Sequence, residues 1–231
     1  MCGRYQFSAD EYKEIRRIVR DAQRRSEGNE LNFPMAGDIC PSQVAPVLVS
    51  RGEKIVGEFQ QLGLPGFRGR QQIINARAET VFTKPAFRKP IRRTRCLVPV
   101  TGFFEWRHED DRRIPYYVAP AGGGICSLAG VYDMWRNPDT GEQVETFAII
   151  TTEADALMRS IDNVNGRMPV ILTGRQQQRW LDPSLDEEAV RSLLEPLPDG
   201  LLRAETIDNG FLKKSPDDPT ILQPRTESAQ A

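Results

Sequence analysis

Hydrophobic and polar positions alternate unevenly along this chain, and the unevenness predicts its elements. Over residues 10–25, Tyr12, Ile15, Ile18 and Val19 recur at helical spacing, with Ser8 as a candidate cap and Glu11 three residues on. Residues 26–38 are polar and glycine-containing, which predicts a loop. Short apolar runs at 44–49 and 55–59 predict two strands joined by the turn Ser50-Arg51-Gly52-Glu53. Residues 62–67 form a turn-rich apolar stretch, and 71–76 and 96–106 have strand character, the latter broken at Gly102. Further strands are expected at 116–118, 126–131, 145–151 and 167–172. Turns at 122–124 and 137–141 separate three of them. Helices are expected at 154–160, 173–180 and 186–194, the last capped by Ser184 or Asp186. Many short strands with few helices predict an α+β fold in a single mixed domain. Residues 1–215 are taken as that domain and the polar residues 216–231 as a disordered tail.

Composition narrows the class. The chain has 231 residues, enough for one large domain. No apolar run reaches the roughly 18 residues that cross a bilayer, and no secretory leader pattern is present. A cytoplasmic protein without a membrane partner is expected. Cys2, Cys40, Cys96 and Cys126 are widely spaced, and His108 is the single histidine. That pattern offers no metal site, and no cofactor is expected. His108, followed by Glu109, Asp110 and Asp111, reads as a solvent-facing loop residue.

The net charge of −1 conceals an asymmetry. Residues 1–107 hold 19 Lys and Arg against 11 Asp and Glu, and residues 108–231 hold 12 against 21. The basic half includes Arg68, Arg70, Arg77, Lys84, Arg88, Lys89, Arg92, Arg93 and Arg95. Such a cluster suits phosphate contacts, although a solvated charged face has the same composition.

The start Met1-Cys2-Gly3-Arg4 carries the most specific chemistry. Removal of Met1 leaves Cys2 with an amine and a thiol on neighbouring carbons. The amine, with a reference pKa of about 7.7–8.0, is partly unprotonated at neutral pH and can condense with an aldehyde. The thiol, near ~8.5, can close on the same carbon and form a thiazolidine. Glu105, between Phe104 and Trp106, is a carboxyl among aromatics. Desolvation there favours the protonated form and suits general acid–base work. Asn75 offers an uncharged hydrogen-bonding group for a sugar hydroxyl. Arg4 and Arg77 are candidates for flanking phosphates, with ion pairing, Glu79 to Arg77 for example, as the alternative.

Four segments together, Met1-Cys2-Gly3-Arg4, Asn75-Ala76-Arg77-Ala78-Glu79-Thr80, the run from Cys96 to Trp106, and Gly166-Arg167-Met168-Pro169, resemble the SRAP family (SOS response-associated peptidase). The resemblance runs from residue 1 to about 210. It implies a barrel-like antiparallel β core flanked by helices and a positively charged groove for single-stranded DNA. It also implies a sensor of abasic sites that links Cys2 covalently to the opened sugar. The peptidase label refers to exposure of Cys2 by removal of what precedes it. On this resemblance the catalytic set is Cys2, Asn75, Glu105 and Asn165, and the DNA-binding set is Arg4, Phe67, Arg77 and Arg167. Single-stranded DNA with abasic sites is the expected partner, and a monomer the expected state.

Three departures stand out. Where the family pattern reads His-Asp-Arg-Met-Pro, this chain reads Asn165-Gly166-Arg167-Met168-Pro169, and asparagine does not titrate near neutrality. The family's Trp-Gly-Leu-x-Pro-x-Trp appears as Leu62-Gly63-Leu64-Pro65-Gly66-Phe67, leaving Phe67 to stack on a base. The family's Asn before Ile-Ala-Pro is Asp38. The alternatives to a covalent sensor are a non-covalent single-stranded DNA-binding module and a peptidase acting on other proteins. With the only histidine in a charged segment, a papain-like site has little support.

Overall fold

A computed structural model describes residues 3–26, 35–66, 72–137, 140–214, 218 and 221–222. Its strands are β1 (Tyr5–Ser8), β2 (Ala36–Ile39), β3 (Val44–Arg51), β4 (Lys54–Leu62), β5 (Leu64–Pro65), β6 (Gln72–Ile73), β7 (Asn75–Arg77), β8 (Arg95–Val100), β9 (Gly102–Glu109), β10 (Arg112–Pro120), β11 (Cys126–Arg136), β12 (Gln143–Glu153), β13 (Arg167–Pro169), β14 (Ile171–Leu172) and β15 (Leu202–Thr206). The helices are α1 (Lys13–Arg25), α2 (Pro90–Arg93), α3 (Ala156–Ile161), α4 (Arg175–Leu181) and α5 (Glu187–Arg191), with a 3-10 turn at Asn209–Lys213.

The core is a closed five-strand barrel in the order β12-β4-β3-β8-β11, and β11 pairs back onto β12. Four of its pairings are antiparallel, while β4 and β12 run parallel through Gln61 and Leu62 beside Thr146 and Phe147. The barrel is therefore mixed rather than wholly antiparallel. A second sheet, β15-β10-β9-β1-β2, packs beside it.

Alternation on the barrel strands explains why they read as nearly unbroken apolar runs. Val98, Leu128 and Ile149 enter one hydrophobic cluster, shared with Tyr5, Phe7 and Phe103 of the second sheet. Their neighbours Leu97, Ala129 and Ile150 enter another, covered by Trp180 and Leu181 of α4 and Val190 of α5. Both faces of β8, β11 and β12 are thus buried, which removes the polar half of the usual strand pattern. A third cluster joins Phe104, Tyr117, Ile207, Phe211 and Ile221. Ile221 is buried there.

Several elements differ from expectation. Helix α1 begins at Lys13, because Ser8 caps a preceding turn instead: its Oγ accepts the Glu11 N–H at 3.2 Å. Residues 36–39, read as loop, form β2 because β1 offers them a complete antiparallel partner. The expected strand at 167–172 is interrupted at Val170, whose N–H donates to Ile150 and whose carbonyl accepts from Ala129. Asp186, not Ser184, caps α5, accepting the Ala189 N–H at 2.8 Å. His108 lies on β9 rather than in a loop. Strand β15 and helix α2 were not legible, being short and lacking clean periodicity.

Helix α1 buries Ile15, Ile18, Val19 and Ala22 and lies close on β4, where Gly57 permits the approach. A Cβ at Gly57 would stand 2.4 Å from the Ile18 carbonyl oxygen. Gly57→Ala is therefore expected to force the helix outward and destabilise the fold by about 1–3 kcal/mol, the usual range for overpacking. In a domain of this size that lowers the melting temperature by roughly 2–4 °C per kcal/mol. Thermal denaturation checks it, with Gly122→Ala, where a Cβ meets open space, as the neutral comparison.

Candidate active site

Strand β1 enters the second sheet alongside β9, with Tyr5 opposite Phe103 and Gln6 opposite Gly102. One step earlier the Arg4 carbonyl accepts the Phe104 N–H at 3.0 Å. The described chain therefore starts next to Glu105, which follows on β9 opposite Tyr116 of β10. Glu105 is only 4% exposed, and one carboxylate oxygen accepts the Trp106 N–H at 3.2 Å. Burial pushes its pKa above the ordinary carboxylate value. The negative charge of Asp162 acts in the same direction, against the Trp106 hydrogen bond.

Asp162 was not singled out by sequence, where Asp-Asn-Val-Asn-Gly reads only as turn chemistry. In the fold it ends α3 and organises the segment that follows. Its Oδ1 accepts from the backbone N–H and the side-chain Nδ2 of Asn165, at 3.2 and 3.0 Å. Its Oδ2 accepts the Arg167 N–H at 3.3 Å. Its carbonyl accepts the Gly166 N–H at 2.7 Å, with Gly166 in the left-handed region at φ +60°. Asn163 fastens this loop to β9: its Oδ1 accepts the His108 N–H at 3.0 Å and its Nδ2 donates to the His108 carbonyl at 2.7 Å. Glu105 and the 162–166 loop are thus held to one another. Asn165 itself is exposed, its side chain engaged by Asp162.

Asn75 lies on β7, which runs parallel to β12 with Asn75 beside Ile149 and Arg77 beside Thr151. On the other edge of β12, β13 pairs Pro169 with the same Thr151. The end of β12 therefore brings the Asn75–Arg77 strand and the Arg167–Pro169 strand to its two sides. Arg167 joins them. Its two terminal nitrogens donate to the two Glu79 carboxylate oxygens at 2.7 and 3.0 Å, and one of them also donates to the Thr151 carbonyl at 2.7 Å. Burial is the largest single effect and raises the Glu79 pKa, but the Arg167 and backbone hydrogen bonds together with the charges of Arg167 and Arg77 outweigh it and hold the carboxyl below its ordinary value.

The arginines expected to meet phosphate divide accordingly. Arg167 is buried and engaged by Glu79, so Glu79 serves Arg167 rather than Arg77. Arg4 is buried, with its Nε donating to Asp38 at 2.6 Å and its guanidinium over the Phe211 ring at 4.6 Å. Arg95, from the basic cluster, donates to three backbone carbonyls, of Ile91, Trp180 and Asp182. These three stabilise the fold. Arg77 is exposed. Cys2 and Phe67 lie outside the described residues. Burial raises the thiol pKa of each of the other three cysteines, Cys40, Cys96 and Cys126, the last to about 12, so none is an activated nucleophile. Among the described residues no metal-ligating cluster comes together, and no helix is long and apolar enough to cross a membrane.

The family model of the SOS response associated peptidase (SRAP) matches residues 1–211. This chain is a member of the SRAP family. The fold agrees: a Bacteroides thetaiotaomicron protein of known crystal structure superposes with a TM-score of 0.83 at 37% identity, over 97% of this chain and 100% of its own. Among SRAP relatives, the abasic site processing protein YoqW of Bacillus subtilis strain 168 is 32% identical over 203 residues, 85% of this chain and 87% of YoqW. The abasic site processing protein HMCES of Gallus gallus is 30% identical over 128 residues, 47% of this chain and 37% of HMCES.

The Arg4–Asp38 pair gives this SRAP domain a pH signature. Burial, the largest effect, raises the Asp38 pKa to about 6 although Arg4 opposes it. An unfolded Asp titrates near ~3.9, so between roughly pH 4 and 6 the folded chain binds more protons than the unfolded one. This contribution to stability is therefore fully present below about pH 4 and is lost as pH rises through 6. Asp38→Asn, which does not titrate, is expected to flatten that part of the curve of denaturation midpoint against pH.

Proposed function

We propose that this chain recognises abasic sites in single-stranded DNA and captures them covalently through Cys2. The reading is supported above all by the buried Glu105 carboxyl standing beside the start of β1, three residues from Cys2 in sequence. Removal of Met1 is the peptidase step of this reading, and it frees the Cys2 amine. The closed abasic sugar opens when its ring oxygen takes a proton, exposing the C1 aldehyde. The Cys2 amine adds to C1, water leaves, and a Schiff base results. The thiolate then adds to the same carbon while the nitrogen keeps one proton, giving a thiazolidine. No redox partner is needed.

Glu105, whose pKa burial raises, gives a proton to the ring oxygen, regains one from the anomeric hydroxyl as the aldehyde forms, and gives it to the departing hydroxyl. Asn75 holds the sugar hydroxyl. Arg77 meets a flanking phosphate, and Phe67 stacks on a base. Arg4 and Arg167 shape the site without touching DNA, since carboxylates already engage both. Asn165 acts through Asp162, fixing the loop beside Glu105. The protein acts in the cytoplasm as a monomer, and the adduct shields the lesion from strand cleavage.

Incubation of the purified protein with an abasic single-stranded oligonucleotide tests this. The parent, lacking Met1 by intact mass, is expected to form an adduct that survives a denaturing gel, and Cys2→Ala to form none. Equal adduct with Cys2→Ala would exclude the mechanism. Glu105→Gln keeps the hydrogen-bonding shape but cannot supply a proton, and should slow capture by roughly 10²–10⁴-fold. The parent's rate is expected to fall as pH rises through the raised Glu105 pKa, a limb that Glu105→Gln lacks.

A further inference from the structure

Helix α1 carries a set of cations unlike those inside the domain. Its buried stripe faces the β3–β4 hairpin, where the Gly57 N–H donates to Asp21 at 2.7 Å. Lys13, Arg17, Arg20 and Arg24 are exposed on the remaining surface, at intervals of four, three and four residues. That spacing aligns them in one row along the helix. Among the described residues Lys13, Arg17 and Arg20 have no carboxylate within ion-pair distance, and the contact of Arg24 with Asp21 is a loose 3.5 Å. Arg16 is turned away, donating to the carbonyls of Ala9 and Asp10. Helix α1 holds six cations against Glu14 and Asp21, in a chain whose net charge is −1.

A groove of about 460 Å³ adjoins the row. Arg17 and Arg24 form one rim, Gln177 and Gln178 of α4 the other, and the half-exposed Ile55 lies between them. The row spans about 16 Å at 1.5 Å per residue. That length faces roughly five phosphates of one duplex strand at about 3.4 Å each.

We propose that the outer face of α1 is a second nucleic-acid contact, which takes the sugar-phosphate backbone of DNA without regard to base sequence or damage. The choice of DNA as the anion rests on the function proposed above. A lipid surface fits poorly, because the apolar side of α1 is already buried and none remains to enter a bilayer. Guanidinium forks in a regular row match a polymer of regularly spaced phosphates better than an irregular acidic peptide. The contact anchors the strand that flanks the lesion and raises the time a lesion spends near the reactive terminus.

The test is binding of undamaged single-stranded and duplex oligonucleotides over a salt series, followed by fluorescence anisotropy. The triple variant Arg17→Gln, Arg20→Gln, Arg24→Gln is compared with the parent and with Arg112→Gln, Arg136→Gln, Arg203→Gln, which removes three exposed charges away from the groove. Glutamine keeps helix propensity, and matching melting temperatures verify the fold. With three phosphate contacts removed, the slope of log K against log salt should become shallower by about 2 on single strands and nearly 3 on duplex. The control triple should change it little. Adduct formation with abasic DNA at saturating concentration should stay as in the parent. Unchanged slope and affinity in the α1 triple, or an equal loss in the control, would overturn the proposal. So would a loss confined to polyglutamate or to phosphatidylserine vesicles. A parent that binds undamaged DNA through α1 yet forms no abasic adduct would remove the proposed function and leave this contact standing.

Discussion

The guanidinium of Arg167 holds together the parts from which the site is built. It sits on β13, its hydrogen bonds reach Glu79 beyond β7 and Thr151 on β12, and its own N–H closes the loop anchored by Asp162. Charge-assisted bonds of this kind are short and roughly twice as strong as neutral ones. Arg167 is the buried member of the pair, so loss of Glu79 would leave its charge short of compensation. This side chain adds to the backbone pairings of β7 and β13 with β12 that hold Asn75 and the Asn165 loop. A residue that sequence assigns to DNA is, in the fold, engaged by Glu79 and Thr151.

Burial decides the electrostatics of the site. Glu105 and Asp38 both sit where water is scarce, and in both the loss of hydration outweighs the favourable contacts that remain. Asp38 keeps Arg4 as a neighbour and still titrates near 6. Glu79 shows the opposite balance, because it is closer to solvent and accepts two hydrogen bonds from one guanidinium. Depth, hydrogen bonding and neighbouring charge thus shift carboxyls of ordinary chemistry in opposite directions.

Sequence conveyed the composition of the site better than its wiring. Membership of the family was legible because Cys2 and the motifs around Asn75, Glu105 and Arg167-Met168-Pro169 follow one another in the family's order. The barrel strands were legible as apolar runs, although their sharing of two hydrophobic clusters was not. Nothing in the order of residues indicated that Glu79 would turn to Arg167, 88 positions away, rather than to Arg77, two positions away. Asp162 escaped notice because an Asp-Asn turn is common and its value depends on β9 passing beside it. Strand β2 was hidden for a similar reason: Ala36-Gly37-Asp38-Ile39 has little strand propensity, and β1 supplies the partner that makes it one.

The departure from the family at Asn165 looks different once Asp162 is in view. An imidazole would place a titrating group near neutrality by its own chemistry. In this chain Glu105 stands nearby, and burial raises its pKa, with the smaller effect of the Asp162 charge in the same direction. The loop that lacks the histidine is the same loop that delivers that charge, through an aspartate fixed by Asn165 and by the Arg167 backbone. On the function proposed, loss of one titratable side chain from the motif leaves the acid–base step to a carboxyl whose surroundings, rather than its residue type, raise its pKa.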